Sequence, residues 1–124
     1  MIPLHAHMPR KISHTYLRTH RKKSGLTQRE LASILGYLSE GQVSRHERGD
    51  NIPPLPVAVG YEIVFGVPVS EIFRGVRASV GPAIEARLVG MEQNLKRKSA
   101  KGRDANAVAR KLEWICERNK PIEV

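Results

Sequence analysis

Between Ser13 and Gly75 the chain is punctuated by glycine. Gly25, Gly36, Gly49, Gly66 and Gly75 each close a stretch whose composition or apolar spacing suits a helix. Glycine just past a helical stretch is the common left-handed stop. The region therefore predicts a run of short helices joined by tight turns, with little room for strands. Start signals fall in step with these stops. Ser13 precedes a helix over 16–24. Thr27 precedes one over 28–35, and Glu30 three residues on completes a capping box. Ser39 precedes one over 40–48, with Gln42 in the same relation. Pro56 sits in the first turn of an apolar helix over 55–65, where its missing N–H costs little. The strand propensity of Val57–Val59 and Ile63–Phe65 is outweighed by that proline and by the rhythm on both sides. Pro68 and Ser70 introduce a short helix through Phe73, which Gly75 ends.

The helices differ in what they can bury. Leu31, Ile34 and Leu35 recur at helical spacing, and Ala32 leaves room for a close neighbour. The helix over 40–48 has only Val43 as a clearly apolar residue. So polar a helix must be carried by its neighbours, with most of its surface left to solvent or a partner. Leu17, Leu31, Ala32, Leu35, Val43, Leu55, Val59, Phe65 and Phe73 are the expected core.

Beyond Gly75 the pattern changes. Pro82 suits the first turn of a new helix, along which Ile84, Leu88, Met91 and Leu95 form one narrow seam. A basic stretch over 96–103 follows. Asp104 is placed to cap a last helix, where Val108, Leu112 and Ile115 repeat the stepping with Ala105 and Trp114 nearby. These seams suit either a hairpin packed within the chain or a pair of dimerising helices. Cys116, beside Trp114 and Ile115, is expected to be buried in a helix face, where a thiol is inert.

Charge narrows the function. The 124 residues hold 21 Lys and Arg against 12 Asp and Glu, net +9, unevenly spread. Residues 1–50 carry net +5, residues 51–75 net −1, and residues 76–124 net +5. Clustered cations of this kind are the footprint of a polyanion binder. The single cysteine excludes an intramolecular disulfide and fits a reducing, cytoplasmic setting. No apolar run reaches the roughly 18 residues of a membrane span. The N-terminus lacks the apolar core of a secretory signal. Residues 1–11, with Pro3 and Pro9, read as a tail, and Met8 is a second candidate start. His5, His7 and His14 match no common zinc spacing. Cys116 and Ser44 have no evident base, and no glycine-rich phosphate loop or carboxylate pair appears, so neither an enzyme nor a cofactor is expected. With two Phe, one Trp and three Tyr, no platform for stacking single-stranded bases is evident.

Four stretches occur in one order with matching spacings: Leu26-Thr27-Gln28-Arg29-Glu30-Leu31-Ala32-Ser33-Ile34-Leu35-Gly36, Val43-Ser44-Arg45-His46-Glu47-Arg48-Gly49, Pro53-Pro54-Leu55, and Phe65 to Phe73. Together they resemble the lambda-repressor-like, Cro/XRE-type helix-turn-helix family. The resemblance implies an all-α fold with five short helices around one core. It divides the chain into a tail over 1–11, a helix-turn-helix domain over 12–75 and a C-terminal helical extension over 76–124. The turn over Gly36–Gly41 is one residue longer than the family's, so the start of the third helix is open by one residue. His20 and His46 stand where the family is often apolar and are expected to be half-buried.

The resemblance also implies a site. The third helix enters the major groove with its N-terminal part facing base edges, and Glu40, Gly41, Gln42 and Arg45 take the base-facing positions. Gln42 suits adenine, Arg45 guanine and Glu40 cytosine N4, while Gly41 lets the backbone come close. Gln28 matches a phosphate contact at a helix N-terminus. Thr27, Ser44, Arg48 and Asn51 are further phosphate candidates, and Arg10, Lys11, Arg18, Lys22 and Lys23 add unspecific attraction. Arg21 and Glu47 match an ion pair that joins the first and third helices. The implied function is a sequence-specific regulator of transcription that binds double-stranded DNA as a homodimer. Two alternatives stay open. One is an antitoxin with a protein partner on residues 76–124; the other is an adaptor without base readout.

Overall fold

The computed structural model describes residues 15–97 and 102–121. The tail, the expected Ser13 cap and the histidines at 5, 7 and 14 lie outside them. Seven helices are present among the described residues, and no strand. They are α1 (Leu17–Ser24), α2 (Gln28–Ile34), α3 (Gly41–Arg48), α4 (Leu55–Phe65), α5 (Val69–Ile72), α6 (Arg74–Arg97) and α7 (Arg103–Arg118). The described residues divide into two compact units, up to Gly81 and from Pro82 on, and the division falls within α6.

In the first unit α2 packs on α3, α4 on α5, and α1 on both α3 and α4. Leu17, Leu31, Ala32, Val43, Tyr61, Ile72 and Phe73 form the buried core, and Leu35 and Phe65 pack against it. The Tyr16 amide donates to the Ile72 carbonyl at 2.8 Å, tying the start of α1 to α5. Gly25, Gly49 and Gly66 adopt positive φ at the ends of α1, α3 and α4, as stops of this kind require. Two expected core residues are not in the core. Leu55 is 76% exposed and Val59 is exposed beside it, because α4 turns Ala58 and Tyr61 inward instead.

Several boundaries differ from the sequence reading. α3 begins at Gly41, and Ser39 does not cap it. Glu40 occupies the cap position in a right-handed helical conformation and no side chain bonds the first amides, so the box with Gln42 does not form. Gly75 ends no helix: it lies buried inside α6, which starts one residue earlier. Pro82 therefore stands within a helix and leaves the Ala78 carbonyl without its usual amide partner. Asp104 lies in the first turn of α7 while Gly102 holds the cap position.

In the second unit, Arg118 at the end of α7 donates to both carboxylate oxygens of Glu85, at 2.8 and 3.3 Å, so 82–97 and α7 run antiparallel as a hairpin. Leu95 and Ile115 are buried, while Ile84, Met91 and Trp114 are exposed. Cys116 is exposed as well, contrary to expectation. It borders a shallow hollow with Glu92, Lys96 and Leu112, because Ile115 takes the inward position next to it. No described helix is long and apolar enough to cross a membrane.

Candidate nucleic-acid interface

The site is built on α2, its turn and α3. Thr27 caps α2: the Glu30 amide donates to Thr27 Oγ1 at 3.0 Å, and the Thr27 amide donates to Glu30 Oε1 at 3.0 Å. The bond from the Thr27 amide, and after it the Thr27 hydroxyl, hold the Glu30 carboxyl below its ordinary range. With the first amides of α2 partly satisfied, the helix presents its positive end beside Gln28.

The polar composition of α3 sorts by face. Val43, His46 and Glu47 point inward and are buried, while Gln42, Arg45 and Arg48 are exposed. Ser44 is half-buried and Asn51, past the helix, is exposed. Glu40 pairs with Arg29 of α2 at 3.6 Å, and Arg48 pairs with Asp50 at 3.0 Å. Gly41 carries an ordinary backbone conformation, and an added Cβ would meet only Ser39 Oγ at 3.7 Å and Arg45 Nη1 at 3.8 Å. The fold itself therefore tolerates a side chain there. On α1, Arg18, Lys22 and Lys23 are exposed; Arg10 and Lys11 lie outside the described residues.

Behind this face sits an ionic cluster. Arg21 Nε donates to Glu47 Oε2 at 2.5 Å, Nη2 to Oε1 at 3.2 Å, and Nη1 to the Leu26 carbonyl at 2.9 Å. Gln28 Nε2 donates to the same Glu47 Oε1 at 3.0 Å. Glu47 is 8% exposed, so this fork and amide replace the water it gave up. One carboxylate thus joins α1, α2 and α3, and it orients Gln28 at the start of α2. The Gln28–Glu47 contact is absent from the sequence reading. The one signal for it is the pairing of a buried-side acid on α3 with a polar residue just after a cap.

His46 is the second surprise. It is 1% exposed, not half-buried, and its Nδ1 lies 2.8 Å from the Tyr61 hydroxyl, with the rings edge to face. Burial lowers its pKa from the ordinary histidine value and raises that of the Tyr61 hydroxyl well above its own. Both are neutral partners that satisfy each other inside the core. His20 is half-buried, with its ring centroid 6.1 Å from that of Phe65. Among the described residues no group of three or more His, Cys, Asp or Glu side chains is placed to hold a metal.

Residues 17–72 match the family described as Helix-turn-helix. No curated protein and no solved structure matches the chain. The order of the helices, the capped α2, the tight turn and the two-faced α3 agree with that match, and residues 17–72 form a helix-turn-helix domain of the lambda-repressor-like, Cro/XRE type. That domain is of the DNA-binding regulator type.

Proposed function

We propose that the chain is a sequence-specific transcriptional regulator that reads the major groove of double-stranded DNA with residues 40–48. The observation that carries this is the division of α3. Its buried face locks it to α1 and α2, while Gln42 and Arg45 project from a helix with no apolar reason to be exposed. Gln42 and Arg45 are the donors and acceptors of base readout, and each good bidentate contact is worth about 1–3 kcal/mol of discrimination. Glu40, tethered by Arg29, accepts from cytosine, and Gly41 admits the DNA closely where the fold imposes no need for glycine. Thr27, Gln28, Ser44, Arg48 and Asn51 meet phosphates around it, with Gln28 pre-oriented by Glu47.

The working form is a homodimer, since one module makes few base contacts and two half-sites a helical turn apart multiply its specificity. The exposed apolar residues of the second unit supply a surface for it. They also support the antitoxin reading, in which that surface takes a toxin. The setting is cytoplasmic, at the nucleoid.

The test is binding to duplex from upstream of the protein's own coding region against scrambled duplex, across a salt series. Wild type prefers its own upstream duplex, and Gln42→Ala/Arg45→Ala loses the preference while keeping weak salt-sensitive binding. Equal binding of both duplexes by wild type, unchanged in the double variant, would remove base readout from the account.

A further inference from the structure

The turn between α2 and α3 holds a side chain that nothing in the fold explains. Leu38 is fully exposed, at 107% of its reference surface, in a segment that lies two residues before Glu40. Its neighbours in the turn are engaged. The Tyr37 amide donates to the Ala32 carbonyl at 2.9 Å, its ring packs on the core, and Glu40 pairs with Arg29. The Glu40 carbonyl also accepts from the Ser44 amide at 2.9 Å, so the backbone on both sides of Leu38 is held and its isobutyl group faces away from the protein. A large aliphatic group in this position gains nothing from solvent; about 0.8 kcal/mol is forgone for every methylene left wet.

We infer that Leu38 is a specificity-determining residue that packs on the C5-methyl group of thymine at the edge of the site read by α3. The inference rests on the proposed base readout and deepens it. The major groove is lined by hydrogen-bonding edges, and its one apolar feature is the thymine methyl. A leucine beside the N-terminal end of α3 enters the groove with that end. There it distinguishes thymine from cytosine at a position that Glu40, Gln42 and Arg45 do not address.

The experiment selects a preferred site from a random duplex pool with the full-length protein, then replaces each thymine of that site by uracil. Uracil keeps the pairing and removes only the methyl. Wild type is expected to lose roughly fourfold in affinity at one thymine per half-site, the factor for one methyl-sized group. Leu38→Ala, which removes an exposed side chain and keeps the wild-type circular dichroism, is expected to start weaker and to be indifferent to uracil at that position. It stays as sensitive as wild type to changes at the positions read by Gln42 and Arg45. Three results overturn the inference: no uracil affects wild type, Leu38→Ala keeps the full uracil sensitivity, or the selected half-site holds no thymine. Failure of the pool to yield any enriched site would overturn the base-readout reading itself, and this inference with it.

Discussion

Glu47 is where three helices of the first unit meet, and a carboxylate so buried is stable only while its partners remain. Removing one member of a buried pair leaves the other uncompensated, typically at a cost of about 3 kcal/mol or more. Arg21→Ala should therefore lower the unfolding free energy measured in urea by about that much, and far more than Arg118→Ala, whose pair with Glu85 is exposed. Equal, small effects would show that the cluster is not what joins the helices. His46 makes a pH prediction. Its folded pKa lies below the ordinary 6.5, so the unfolded chain takes up a proton that the folded chain refuses. Stability is then full above about pH 6.5 and declines as the pH falls below it, by at most about 1.4 kcal/mol per pH unit. His46→Gln should flatten the decline between pH 6.5 and 5 in urea unfolding; a slope equal to wild type would contradict the neutral, buried histidine. The ion-pair positions were legible through family spacing. The depth of His46 was not, because a histidine is half-buried or fully buried according to whether a hydroxyl such as that of Tyr61, fifteen residues away, happens to meet it.

At the scale of elements, local chemistry told true where it was complete. Thr27 with Glu30 forms its box because both reciprocal bonds close within one turn. Ser39 with Gln42 has the same spacing and forms none, because the longer turn lets Glu40 take the cap position. Thr27→Ala should cost about 1 kcal/mol in unfolding free energy, and Ser39→Ala should change it within a few tenths. Matching losses would mean that Ser39 caps α3 in solution. Gly75 and Pro82 both read as helix punctuation, yet α6 runs through them, with Gly75 buried in the first unit and Pro82 exposed. The exposed Leu55 and Val59 show the limit of an all-apolar helix, whose sequence carries no face from which its orientation can be read.

At the scale of the whole molecule, the uneven +9 charge makes DNA binding salt-dependent. Arg48→Ala should reduce the slope of log affinity against log salt by about one if Arg48 meets a phosphate. An unchanged slope would leave Arg48 to its pair with Asp50. The second unit buries Leu95 and Ile115 and leaves Ile84, Met91 and Trp114 exposed, so sedimentation should find a dimer that Ile84→Glu/Met91→Glu converts to monomer. The sequence carried the two-helix character of this region but not which residues turn inward, since a single seam serves a hairpin and a dimer equally. The central claim, that the exposed face of α3 is the DNA interface, is tested most directly by the nitrogen-15 amide spectrum of the full chain titrated with a short duplex. The account predicts that the largest shifts fall on residues 27–29 and 38–51, with residues 105–118 nearly unmoved. Shifts concentrated in the second unit, with α3 silent, would contradict it.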